Sequence, residues 1–204
     1  MKKLSEMLPK RLESENSSSL PQWLTEKKHE IIKRYGDAHQ FAVTFNPDYQ
    51  YECAMDIEKS LYGPAPTLRQ LASTYTQHQN MAWLTAHLND INNFCGVKAK
   101  MEIEQMKQVA AIMLIQYPYI KASEVLLFFY RFKAGLHGQL YGVVDPLMIT
   151  TAFIEFVEWR STERSRIESL YKQQQRAEMV ERSKKTAITR EEYEQRKNKR
   201  HEYE

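Results

Sequence analysis

Apolar residues recur at intervals of three and four along most of this chain, and the intervals are punctuated by Gly and Pro. That period belongs to helices with one buried stripe. Trp23, Leu24, Ile31, Ile32 and Tyr35 mark a first helix, with Pro21 at its start, Ser19 as cap and Gly36 as stop. Phe41–Phe45 is short and rich in strand-favouring residues and suits an extended segment closed by Asn46-Pro47, although a single strand has no partner here. Tyr49 to Tyr62 reads as one helix ended by Gly63-Pro64. Thr67 caps the next, whose buried face is Leu68, Leu71, Ala72 and Tyr75. Met81 to Phe94 follows and is stopped by Gly96; Met101 to Tyr117 is the cleanest amphipathic helix and ends at Pro118.

Lys121 to Lys133 is the most apolar helix. Val125, Leu126, Leu127, Phe128, Phe129 and Phe132 cover most of its circumference, which predicts burial in the middle of a bundle. Gly135 suits a left-handed cap, and Asp145-Pro146 is a cap followed by proline at the first helical position. The helix that starts there buries Ile149, Ala152, Phe153, Phe156 and Val157, and loses its apolar stripe beyond Trp159. It runs on to about Lys185, and Thr189-Arg190-Glu191-Glu192 fits a capping box for a last polar helix. The expected fold is therefore all-α: a compact multi-helix bundle with a long polar C-terminal helical tail. Its divisions are a flexible N-terminal arm over 1–19, a helical core domain over 20–160, and a polar, basic helical tail over 161–204.

Composition sharpens this picture in a few places. With 42% hydrophobic residues a core is affordable, while 6 Gly and 7 Pro in 204 residues favour long helices over many turns. No apolar run approaches the length of a membrane span, so the expected location is the cytoplasm, away from membranes. Cys53 and Cys95 are too few for a disulfide framework and are expected as reduced, half-buried thiols. The net charge is +3, but from Arg160 to Glu204 there are 13 basic and 9 acidic residues, against 16 and 17 in the rest. A basic tail can neutralise phosphates, but the interspersed acids favour a solvated helix face over that role.

No catalytic signature is present. There is no HExxH, no Cys/His cluster, no phosphate-binding P-loop and no GxSxG, so no metal, cofactor or catalytic residue is assigned. The loop after Lys133 is the one candidate site. Arg131, Lys133, His137, Gln139 and Tyr141 form a mixed basic and aromatic set, and Gly135, Gly138 and Gly142 allow a close backbone approach. Such a set can hold phosphate and stack on a base. The structural alternative is a plain connection, with Arg131 and Lys133 answering the negative end of the helix dipole.

The run FFYRFKAGLHGQLYGVVDPLMITTAFIEFVEWR resembles the C-terminal signature of uncharacterised small helical proteins from Bacteroidales chromosomes, mobile elements and phages. Gly135, Gly138, Tyr141, Gly142, Asp145 and Arg160 match that pattern, and His137 departs from the aromatic residue expected near it. The resemblance covers about Phe94 to Arg164. No activity comes with it, but its setting implies a non-enzymatic accessory role in DNA transactions, such as a replication or helicase-loading adaptor. The expected partners are then DNA or a replication protein, and a protein docked through the C-terminal tail. The alternative is a protein–protein interaction or assembly factor that binds no nucleic acid. The two separate on whether Arg131 and Lys133 share one exposed basic face.

Overall fold

A computed structural model describes residues 22–96, 99–138, 143–187 and 190–194. The arm 1–19, Ser19, Pro21, Gln139, Tyr141, Gly142, the Thr189 cap, and the side chains of Trp23 and Leu24 lie outside the described residues. The fold is all-α. Its helices are α1 (Gln22–Tyr35), α2 (Ala38–Thr44), α3 (Tyr49–Met55), α4 (Ile57–Tyr62), α5 (Leu68–Thr74), α6 (Gln77–Phe94), α7 (Ile103–Gln116), α8 (Ala122–Lys133) and α9 (Pro146–Thr186), and residues 190–194 are helical again. Extended pairing among the described residues is limited to isolated bridges, such as Thr67 with Lys121 and Ala99 with Val143.

Local capping chemistry sets most boundaries. Phe41–Phe45 is helical, not extended. Asp37 accepts the Gln40 N–H at 2.8 Å while the Gln40 side chain accepts the Asp37 N–H at 3.1 Å, and this box starts α2. Helical spacing then lets Phe41 and Phe45 meet, with ring centroids 4.8 Å apart, which an isolated strand could not do. Gly36 (φ +75) leads into the box, and a Cβ there would collide with Gln40 Oε1. The single helix expected over Tyr49–Tyr62 is two. Asp56 leaves helical geometry, and its carboxylate accepts the Lys59 N–H at 2.8 Å to open α4. Thr76 and Gln79 form another box, so α6 begins at Gln77 rather than at Met81. Thr67 and Asp145 cap α5 and α9 as their sequence context predicts.

α8 is the centre. Every side chain from Ala122 to Phe129 is buried. Phe128 lies 4.8 Å from Phe153, 5.6 Å from Phe156, 5.2 Å from Phe129 and 5.9 Å from Phe132, so the five phenylalanines form one cluster where α9 crosses α8. Cys53 is fully buried against the expectation of half-burial, and burial pushes its thiol up to about 11, which leaves it unreactive at neutral pH.

The first turn of α8 also buries a charge. Glu124 is 0% exposed. Its Oε1 accepts from Arg160 Nε at 2.7 Å, and its Oε2 accepts the Lys121 N–H at 2.8 Å. The Lys121 ammonium donates to the Leu61 and Gly63 carbonyls at 3.0 and 2.8 Å, and Arg164 Nη1 donates to Leu61 O at 3.2 Å. Two cations thus face the C-terminal end of α4, where orphan carbonyls and the helix dipole favour them.

α9 passes through Arg160 unbroken, and its packing on α4 continues beyond it. Tyr62 donates to Arg164 O and Glu168 Oε1, both at 3.1 Å, Ile167 is buried, and Tyr171 donates to Glu58. The polar extension that stands clear of the body starts at Lys172, about eleven residues later than the sequence division at 160; every side chain from Lys172 to Lys185 is exposed.

Two stability outcomes are expected in denaturant titrations. Phe129→Ala should lose about 3–5 kcal/mol, because its ring is wholly enclosed. Arg160→Met should lose up to ~3–5 kcal/mol, because Glu124 then keeps only the more distant Arg164 guanidinium at 3.7 Å, and adding Glu124→Gln should restore much of it. A double variant no more stable than Arg160→Met alone would mean that Arg160 acts through packing rather than charge.

Candidate functional site

Arg131 and Lys133 do not share a face. Two residues apart on a helix, their side chains diverge. Arg131 turns toward α9, where its guanidinium lies 3.6 Å from the centroid of the Trp159 ring. Burial holds its pKa below the usual arginine value, partly offset by Glu163. Lys133 turns toward α6, ion-paired with Asp90 and 5.6 Å from the Phe94 ring centroid. The exposed basic face required of a loop that grips nucleic acid is therefore not made by this pair.

His137 goes with Arg131. Its side chain is 3% exposed, with rings of Phe128 and Phe156 at 5.9 and 6.3 Å, and Nδ1 lies 3.5 Å from Glu155. Burial, then the Arg131 charge, pushes its pKa down. It is an inward wedge under the loop rather than a surface ligand. Gly135 (φ +73) and Gly138 (φ +91) take left-handed conformations, which explains glycine at both positions.

The Lys133 side opens a different site. The N-terminus of α3, the end of α6 and the end of α8 enclose a surface cleft of about 440 Å³. Asp48, Gln50, Tyr51, Phe94, Tyr130 and Lys133 line it. Tyr51 and Phe94 are 58% and 59% exposed, unusual for aromatic rings gathered in one cleft, and Tyr51 meets Tyr130 edge-on at 6.4 Å. Asp48 precedes α3 but its side chain makes no capping hydrogen bond.

Beneath the cleft, hydrogen bonding fixes the orientation of Gln50, which is 2% exposed. Trp83 Nε1 donates to the Phe45 carbonyl at 2.8 Å, and His87 Nε2 lies 3.0 Å from the same oxygen. A carbonyl only accepts, so His87 carries its proton on Nε2 and leaves Nδ1 as an acceptor. Gln50 Nε2 must then be the atom 2.9 Å from Nδ1, and its other proton faces Asp90 Oδ2 at 3.3 Å. Flipping the amide would set oxygen against two acceptors. The consequence is that Gln50 Oε1 is buried and has no donor. An unsatisfied buried acceptor is costly and calls for a reason.

Lys133 was the sequence candidate that the structure brings to this cleft. Asp48, Gln50, Tyr51, Phe94 and Tyr130 were not singled out. Only Tyr130, on the same helix three residues before Lys133, carried a local signal; the others arrive through tertiary packing.

Residues 100–203, just over half of the chain, match the model of a family described as a family of unknown function, DUF6633. The chain belongs to that family. No curated protein and no solved structure matches it. The DUF6633 match takes in α7, α8 and α9, with Glu124, Tyr130, Lys133 and Arg160, while Asp48, Gln50, Tyr51 and Phe94 lie before it. Among the described residues no group of three or more His, Cys, Asp or Glu could hold a metal ion.

The network predicts a pH response. Burial lowers the His87 pKa from 6.5 to about 4, so the folded protein keeps it neutral. The unfolded chain takes up that proton as pH falls through about 6.5, the folded one only near 4. His87 therefore contributes stability fully above about 6.5 and loses it as pH falls toward 4. His87→Gln should show a flatter decline of unfolding free energy between pH 7 and 5 than the wild type. Parallel declines would assign the acid sensitivity to other groups.

Proposed function

We propose that this protein is a non-enzymatic interaction module. A rigid helical body receives a segment of a partner protein in the cleft between α3, α6 and α8, and the α9 extension offers a second contact. The observation that carries the reading is the gathering of largely exposed rings, Tyr51 and Phe94 with Tyr130, in one surface cleft. Intramolecular engagement of Arg131 and Lys133 favours it over a nucleic-acid-gripping loop. No helix among the described residues is long and apolar enough to cross a membrane, and a cytoplasmic location is part of the proposal.

A second reading keeps the accessory role in DNA transactions, as a replication or helicase-loading adaptor. It is supported by exposed Lys172, Arg176, Lys184 and Lys185 on the part of α9 that leaves the body. It also draws on the resemblance to proteins of Bacteroidales mobile elements and phages. On this reading the tail, not the loop, meets the phosphates.

Two measurements separate the readings. Anisotropy with short single- and double-stranded DNA at two salt concentrations should show no salt-dependent binding by the full chain. Binding that weakens with salt, and is lost on truncation after Tyr171, would favour the DNA role instead. Capture of a defined partner from the native host should be lost with the Tyr51→Ala/Phe94→Ala variant, and undiminished capture by that folded variant would remove the cleft from the function.

A further inference from the structure

We propose that the junction of α4, the α7–α8 turn and α9 binds a phosphomonoester dianion, carried by a small molecule or by a phosphorylated side chain. The site lies at the first turn of α8, the opposite end of that helix from the cleft, and it does not rest on the interaction-module reading.

Three cations meet there over one carboxylate. Glu124 Oε1 accepts from Arg160 Nε at 2.7 Å and lies 3.7 Å from Arg164 Nη1. Arg164 Nη1 and the Lys121 ammonium share the Leu61 carbonyl oxygen, at 3.2 and 3.0 Å. The three heads are therefore neighbours, and their one carboxylate leaves two positive charges unmatched. Backbone carbonyls supply partial charge but no net charge. The next carboxylate, Glu168, is engaged by the Tyr62 hydroxyl and forms no ion pair among the described residues. Lys121 feels the surplus: burial holds its pKa below the usual lysine value, Glu124 acts against this, and Arg164 and Arg160 add to the lowering.

The surplus is within reach of a ligand. The Arg160 and Arg164 side chains are 14% and 29% exposed. Arg160 Nη1 and Nη2, with Arg164 Nε and Nη2, have no acceptor among the described residues, and none of them is an enclosed atom like Arg131 Nε. Ring faces steady both guanidiniums, with Arg164 4.5 Å from the Tyr62 centroid and Arg160 5.7 Å from that of Tyr119. Guanidinium forks held in place with free N–H groups recognise oxyanions.

Other ligands match less well. A carboxylate brings one charge against two. A backbone phosphodiester also brings one, with two of its oxygens esterified. A phosphomonoester brings close to two charges and three acceptor oxygens.

The test is an NMR titration of the full chain with inorganic phosphate, N-acetyl-phosphoserine amide, adenosine monophosphate and N-acetyl-glutamate amide. The phosphate probes should give saturable shifts centred on Tyr62, Tyr119–Lys121 and Arg160–Arg164, and the glutamate probe should bind severalfold more weakly. Affinity should fall severalfold as the phosphate ester takes up its second proton, with a pKa of about 6. Arg164→Gln leaves the Arg160–Glu124 pair in place and should weaken phosphate binding about tenfold, with little change in melting temperature. Arg164→Lys, which keeps the charge without the fork, should fall between. Tighter binding of phosphoserine than of the nucleotide assigns the phosphate to a modified partner, and the reverse assigns it to a small molecule; either ranking supports the site. No saturable response, shifts centred on Lys172–Lys185 instead, or equal binding of the glutamate probe would each overturn it. So would affinity unchanged on protonation of the ester, binding of inorganic phosphate with neither ester bound, or undiminished binding by folded Arg164→Gln.

Discussion

Glu124 is a full carboxylate placed inside the hydrophobic core, and the arrangement of α4, α8 and α9 depends on keeping it satisfied. An uncompensated charge there would be prohibitive, so Arg160 must reach it from α9 and the Lys121 N–H from the helix start. The Arg160 requirement fixes where α9 crosses α8. Lys121 and Arg164 then have carbonyls of the α4 end to answer, which ties the third helix to the same point. The phenylalanine cluster supplies more burial, but apolar rings tolerate sliding. The ion pair has one geometry, and it gives the surrounding contacts their register.

A helix pinned at its first turn and buried along its length acts as a rigid rod, and its far end carries the candidate site. Tyr130, Arg131 and Lys133 leave α8 in directions set by helical geometry. Arg131 is taken up by Trp159 and Lys133 by Asp90. The cleft is completed by the end of α6, whose Trp83 and His87 are anchored on the Phe45 carbonyl, and by the start of α3, tied to α6 through the Gln50 bond to His87. The strain of one unsatisfied oxygen sits where three elements converge. It is not alone: Thr85 Oγ1, Arg131 Nε and His137 Nε2 are also buried without a hydrogen-bond partner, whereas the chain under α8 is satisfied, Ser123 donating to Ser60 O at 2.7 Å and Ser60 to Cys53 O at 2.8 Å.

Local signals in the sequence were sufficient for much of the fold and for little of the site. Helical periods, Thr67, Asp145-Pro146 and Gly36 are interactions within one turn, and they read correctly. The errors at Phe41–Phe45 and Asp56 have one cause. Strand propensity and an unbroken apolar period yield there to side-chain caps, Asp37 with Gln40 and Asp56 before Lys59, which are cap patterns in their own right. The residues of the candidate loop are close in sequence and not all close in space. Arg131 and Lys133 are neighbours along the chain yet belong to different surfaces, while Gln50, Phe94 and Tyr130 meet only because α3, α6 and α8 pack. No period or motif encodes that meeting.

The passage of α9 out of the body follows from the same physics that holds its first half. As far as Tyr171, side chains on one stripe find α7, α8 or α4. Beyond it the chain stays helical with no face buried, over roughly 20 Å of helix from Lys172 to Lys185. Its stability is therefore borrowed: the nucleus is already formed in the packed half, and extension adds a hydrogen bond per residue without a new nucleation step. Good helix formers such as Lys, Gln, Arg, Glu and Met then suffice. A rod of this kind gains nothing for the body by projecting. On the proposed interaction-module reading, its exposed surface would take a second contact while the cleft takes the first, and two modest contacts on one rigid scaffold raise the effective concentration of each for the other.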